Sequence, residues 1–183
     1  VKEIVIESVD PTLGLDVDGR RCRGRLRVRP HGEHGLAVDN LVDLEDYVAG
    51  AVAGEVQLID ATRAELEAQA IASRSFALAQ LSARGARSLE VRLYDGTRDQ
   101  RYVGVFEPSA NPRERRAARD LAAAIEATRG KILVEFGETL DARFHAACGG
   151  RTASAADVFP EAARFTSLAS VDCEGCSSPG GPD

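Results

Sequence analysis

The chain has 183 residues, of which 23 are Lys or Arg and 29 are Asp or Glu, giving a net charge of −6, and 44% of its residues are apolar. That length suits one domain with a real core, and the composition excludes a disordered, collagenous or coiled-coil chain. Basic residues are scattered and outnumbered, which argues against a nucleic-acid surface, and the longest uncharged apolar run, Tyr47 to Gly54, falls far short of the roughly 20 residues that span a bilayer.

From Val1 to about Asn40 the sequence reads as short strands and turns. Lys2 to Ile6 and Arg25 to Val28 alternate apolar and polar, and Pro11 and Gly14 punctuate. The His31 and His34 tract between Pro30 and Gly35 reads as a solvated loop rather than a metal site. The sequence begins at Val1 and contains no Met, so a processed or excised chain is expected, with any export signal outside it.

Helical periodicity starts at Leu44 and runs through Tyr47, Val48, Ala51 and Val52, with Asp43 as N-cap. A second helix is marked by Thr62 and Glu65 in capping-box spacing, is apolar nearly all round, and stops at Gly85. Such a helix is covered on several sides, so the two should form the heart of the domain. Strands are expected at Leu89–Tyr94 and Gln100–Val105, with Asp95-Gly96 as a turn between them. A third helix is expected from Glu114 to Thr128, closed by Gly130, then strands at Lys131–Phe136 and Thr139–Phe144 around Gly137-Glu138. The tract from Ser177 to Asp183 has no packing pattern.

Glu55 is the leading catalytic candidate. It lies eleven positions after Leu44, and at about 100° per residue eleven steps return to within about 20° of the starting direction. A carboxylate that ends an apolar stripe between Val52, Val56 and Leu58 should be desolvated, which raises its pKa toward that of a general acid. The alternative is that the helix frays at Gly54 and Glu55 points into water. Arg74, inside the apolar second helix, must find carboxylates, carbonyls or substrate. It would orient a substrate or pair with Glu55, unless it snorkels to solvent. Gln69 carries the same ambiguity.

Four cysteines, Cys22, Cys148, Cys173 and Cys176, permit two disulfides or a metal site. His145 and Cys148 with Cys173 and Cys176 would suit a tetrahedral structural zinc, and a bond from Cys148 to Cys173 or Cys176 would close a loop of about 25 residues. His145 beside Cys148 also reads as a base and thiol nucleophile, but no third orienting group accompanies them.

Taken together, Leu44 to Glu55, Leu66 to Ala77, Gln100 with Tyr102 and Gly104, Ala124 to Gly130, and His145 to Thr152 resemble, in order and spacing, the SpoIID/LytB (stage II sporulation protein D) family. The resemblance covers roughly Leu41 to Val171. It implies a bacterial cell-envelope protein, exported, that acts on peptidoglycan glycan strands. One branch would be a lytic transglycosylase without cofactor, with Glu55 as the catalytic acid; the other would be a non-catalytic glycan-binding enhancer of a cell-wall amidase. Gln69, Arg74, Gln100, Tyr102, His145 and Thr152 would then line the sugar groove. An exported protein also implies the disulfide rather than the zinc. Some sporulation members hold zinc with Cys and His just before the Gln-x-Tyr segment, and Leu81 to Asp99 contains neither residue, which weakens a sporulation role more than the fold.

The expected architecture is one α+β domain, with residues 1–40 as a β-rich lead-in, residues 41–172 as the core, in which two central helices pack against mixed sheet, and residues 173–183 as a flexible tail. The enzyme reading expects Glu55 to lie partly buried at the floor of a cleft lined by Gln100, Tyr102, His145 and Thr152. A solvent-facing Glu55 favours the binding module.

Overall fold

A computed structural model describes residues 3–10, 12–85, 93–96, 98–145 and 147–173. The fold is α+β. Its N-terminal part holds five strands: β1 (Ile4–Glu7), β2 (Leu15–Val17), β3 (Arg20–Cys22), β4 (Arg25–His31) and β5 (Gly35–Leu41). Strands β1, β4 and β5 make an antiparallel sheet with β4 in the middle, while β2 and β3 form a separate hairpin. That hairpin turns at Asp18-Gly19, both with positive φ, the pair and geometry that two-residue turns favour.

Three helices follow: α1 (Leu44–Glu55), α2 (Arg63–Ala83) and α3 (Pro112–Ala127). The expected caps form. Asp43 accepts from the Glu45 N–H, and Thr62 with Glu65 closes the full capping box. The third helix starts two residues earlier than its periodicity suggested, because Asn111 caps it and Pro112 suits its first turn. Val48 and Val52 of α1, Leu66 and Ala70 of α2, and Leu121 and Ile125 of α3 share one buried cluster. The two central helices therefore pack on each other and on the third helix, and α2 also lies against the short strand Glu138–Thr139. All strand pairs among the described residues are antiparallel, in sheets of three, two and two strands, too small to cover a 21-residue helix.

At the helix crossing lies a buried ion pair. Arg74 is fully buried; its Nε and Nη2 donate to the two carboxylate oxygens of Glu45 at 3.0 and 2.6 Å, and its Nη1 donates to the carbonyls of Lys131 at 3.0 Å and Ala70 at 3.3 Å. The Gly130 N–H also reaches Glu45, so one carboxylate fastens the start of α1 to the middle of α2 and to the chain leaving α3.

Two strand expectations change. Gln100–Val105 is not a strand: the Val103 N–H donates to the Gly50 carbonyl and the Val105 N–H to the Arg21 carbonyl, so its backbone bonds go to a helix and a hairpin instead of a ladder. Of Leu89–Tyr94, residues 89–92 lie outside the described residues, and Tyr94 is irregular. The last pair of strands shrinks to β6 (Val134–Glu135) and β7 (Glu138–Thr139). Past Leu140, the N–H groups of Ala142 and Arg143 turn back to the carbonyls of Leu140 and Asp141, which takes the chain off the ladder. The turn centres on Phe136-Gly137, one residue earlier than expected, with φ of 52° and 79°. A left-handed Phe costs roughly 1–2 kcal/mol.

This last hairpin is fastened at both ends. The Leu133 N–H donates to Ser75 of α2 at 2.8 Å. The Glu135 carboxylate accepts from the Ser167 hydroxyl at 2.6 Å, from the Thr166 hydroxyl, and from the backbone N–H of Thr166 at 2.9 Å and Ser167 at 3.2 Å. Those hydrogen bonds, led by the Ser167 and Thr166 hydroxyls, hold its pKa down to about 2. A short helix α4 (Ala155–Val158) and two 3₁₀ turns, Pro160–Arg164 and Thr166–Leu168, complete the described chain.

Arg74→Met strands the Glu45 carboxylate and is expected to cost about 3–5 kcal/mol in urea unfolding, with a Glu45→Leu partner change restoring part of it. Glu135 has a folded pKa below its usual 4.5, so its contribution is present above that value and lost as pH falls toward about 2. Glu135→Gln should therefore destabilise at pH 6 and make no difference near pH 2.

Candidate active site

Glu55 closes α1, and Val56 caps the helix by donating its N–H to the Val52 carbonyl at 3.0 Å. Its side chain is exposed, so the desolvation that the apolar stripe suggested is absent in the free chain. The apolar stripe does not bury Glu55 because the helix ends there, and no further helical turn covers the carboxylate. The group is nonetheless held: its Oε1 accepts the Arg101 backbone N–H at 2.6 Å.

What holds Arg101 is the glycine face of α1. A Cβ on Gly54 would lie 2.2 Å from the Arg101 carbonyl oxygen, and one on Gly50 would lie 2.4 Å from the Tyr102 ring. Only glycines at these i, i+4 positions let residues 101–104 lie directly on the helix. The neighbours of Arg101 grip the same helix. Gln100 is buried, and its Oε1 accepts the Tyr47 hydroxyl at 3.0 Å. The Tyr102 ring stacks on Tyr47 with centroids 5.5 Å apart, and its hydroxyl donates to Asn40 at 3.0 Å. Burial pushes the Tyr47 phenol well above its usual range, and the nearby Asp99 and Glu55 carboxylates add to that. Burial does the same to Tyr102. Among the described residues the buried Gln100 Nε2 has no hydrogen-bond partner, a donor left over on the residue next to the one that holds Glu55.

Beside this cluster runs an ionic relay. Burial would raise the Asp99 carboxyl, but hydrogen bonds from Arg84 at 2.5 and 2.9 Å and from the Tyr94 N–H outweigh it and hold the group low. Arg84 also reaches Gln80, whose Nε2 donates to Asp141, and Arg143 bonds Asp141 in turn.

The residues expected to line a groove with Glu55 do not form one wall. Gln100 and Tyr102 flank Glu55's hydrogen-bond donor, although both are packed inward. Arg74 pairs with Glu45, not Glu55, and with no exposed surface it has nothing to offer a sugar. Gln69 is half-buried and donates to Ser73 on its own helix. His145 is exposed. Thr152 belongs to a separate clasp, in which it and Val171 exchange hydrogen bonds while the Cys173 N–H donates to the Gly150 carbonyl. That clasp brings the chain around Cys148 beside the chain around Cys173, whereas Cys176 lies outside the described residues. Among the described residues no group of three or more His, Cys, Asp or Glu is placed to hold a metal ion. A groove of about 360 Å³ runs between α1 and α3, lined by Asp46, Ala49, Tyr102, Phe106 and Leu121 among others; Tyr102 is the one expected groove residue on it, and Glu55 is not part of it.

Sequence reasoning passed over Tyr47, read only as part of the apolar stripe, and the Arg101 N–H, which as backbone carries no residue-type signal. The Gly50-x-x-x-Gly54 spacing was the available clue. Gly54→Ala should push the Arg101 carbonyl away and cost about 1–3 kcal/mol in thermal unfolding, with a large amide shift change at Arg101 in ¹H–¹⁵N spectra; an unchanged Arg101 amide would contradict the seating.

Comparison with known proteins gives this arrangement its setting. The family model described as SpoIID, Stage II sporulation protein, matches residues 32–134, a span that includes Glu55, its seat on α1 and the Gln100–Gly104 segment. An uncharacterised protein of Brachyspira hyodysenteriae is 30% identical over 175 residues, covering 96% of this chain and 43% of the relative. The chain thus spans less than half the length of that relative. No helix among the described residues is long and apolar enough to cross a membrane. The match across more than half of the sequence establishes that the chain belongs to the SpoIID family, which is linked to cell-wall processes.

Proposed function

We propose that the protein cleaves peptidoglycan glycan strands as a lytic transglycosylase, at the cell envelope, with Glu55 as its acid and base. The observation that supports this most is the 2.6 Å bond from the Arg101 N–H to Glu55 Oε1, because it fixes the carboxylate at a helix end and leaves Oε2 to face a ligand. Glu55 would protonate the leaving glycosidic oxygen through Oε2. As carboxylate it would then take the proton from the muramoyl 6-hydroxyl as that oxygen attacks C1, giving a 1,6-anhydro end with no water consumed. One carboxyl group serves both transfers, so the second carboxylate of a hydrolase is not required. The dryness that the free chain lacks at Glu55 would come from the sugar chain laid over it. Tyr102, His145, Gln69 and Thr152 remain proposed sugar contacts; Arg74 and Gln100, 0% and 1% exposed, are withdrawn from that set.

The exposure of Glu55 favours a second reading, a non-catalytic glycan-binding module that stimulates a cell-wall amidase. Incubation with purified denuded glycan strands followed by mass analysis separates the two. Cleavage predicts anhydro-muramyl ends from the native chain and a loss of at least about 100-fold for Glu55→Gln. Absence of products from both, with binding to glycan retained, supports the module and ends the cleavage reading. The proposed Cys148 disulfide, to Cys173 or Cys176, is checked by mass shift on alkylation with and without reductant.

A further inference from the structure

The β6–β7 hairpin carries a residue that neither its backbone nor its burial accounts for. Both central residues of its two-residue turn have positive φ, a geometry that selects Asn, Asp or Gly at the first position. The same chain obeys that preference at its other two-residue hairpin, where Asp18 holds the equivalent place with the same φ of 52°. Here the position is Phe136, a bulky residue in the left-handed region, and it is 78% exposed, so no core packing offsets the strain. Strained conformations on a rigid frame collect at binding sites. The frame is rigid, since Glu135, the residue before Phe136, is fixed by the Thr166 and Ser167 hydroxyls and N–H groups. Val134, 56% exposed, is a second exposed apolar side chain on the same hairpin.

We infer that Phe136 is a stacking platform for a sugar ring of the glycan strand, a contact additional to those around Glu55. This rests on the proposal that glycan strands are the ligand. The axial C–H bonds of one pyranose face are weakly positive and apolar, and they pack on the negative face of an aromatic ring. A glycan fits this tip better than an anionic lipid surface does: such a surface is drawn to clustered Lys and Arg, and Arg164, which reaches this hairpin, is already taken by Glu138 at 3.1 Å. The fastened turn holds the backbone beneath the ring, so binding has little backbone left to order.

The test uses Phe136→Asn, which supplies the residue the turn prefers, so stability and ligand affinity should move apart. With a denuded glycan tetrasaccharide as probe in titration calorimetry, Phe136→Asn should weaken binding about tenfold while the melting temperature stays or rises, and Phe136→Tyr, which keeps the ring, should keep the affinity. Native chain that binds the tetrasaccharide and a Phe136→Asn chain that binds it equally well would overturn this inference alone. A native chain that binds no glycan would overturn the glycan reading and this inference with it. Affinity and melting temperature falling together would make Phe136 a packing residue and overturn it, as would loss of binding to phosphatidylglycerol vesicles with glycan affinity unchanged.

Discussion

Two missing side chains on α1 set the geometry of the candidate site. Because Gly50 and Gly54 have no Cβ, residues 101–104 lie in direct contact with the helix backbone, and that contact is what brings the Arg101 N–H to Glu55 and the Tyr102 ring to Tyr47. A helix and an irregular segment far away in sequence thereby act as one piece. The cost is modest: glycine in a helix loses about 1 kcal/mol against alanine. The return is a carboxylate that is oriented although it is exposed, which distinguishes it from one that merely reaches into solvent.

A second fastening keeps that piece in place. The bidentate bond between Arg74 and Glu45, with further donors spent on the Lys131 and Ala70 carbonyls, joins the opposite end of α1 to α2 and to the exit from α3. A buried pair of this kind adds little net stability against a well-packed apolar alternative, but it penalises any arrangement in which either partner is stranded. It thus specifies how the helices cross. Glu45 and Glu55, at the two ends of one helix, have opposite fates: the first is consumed in structure, the second is left facing out.

How much of this could be read from the residues alone differs by level. The helices and their caps were legible because capping chemistry is local: Asp43, Thr62 and Glu65 make the bonds their positions imply. Of the N-terminal strands, β1 and β4 were legible through alternation, whereas β2, β3 and β5 fell only within the general reading of short strands and turns. Gln100–Val105 was not, because its pattern of apolar residues answers to a helix and a hairpin rather than to neighbouring strands, and no local signal records that. The position of Glu55 was legible as the end of a stripe, but not its exposure, which depends on what the chain does after the helix stops. Arg74 was correctly seen to need partners; which carboxylate supplied them was a matter of helix crossing, invisible in one dimension. The turn residue Phe136 was misplaced by one because glycine attracts the turn assignment, while here the left-handed geometry begins one residue earlier.

In the proposed function a sugar chain lies over the carboxylate at the end of α1. The direct measurement is a ¹H–¹⁵N titration of the chain with denuded glycan fragments, following the amide of Arg101, whose proton is hydrogen-bonded to Glu55. Saturable shifts at Arg101 and its neighbours Gln100 and Tyr102 are the expected result. Saturation of binding with the Arg101 amide unmoved would mean that glycan is held elsewhere, and the site described here would lose its ligand.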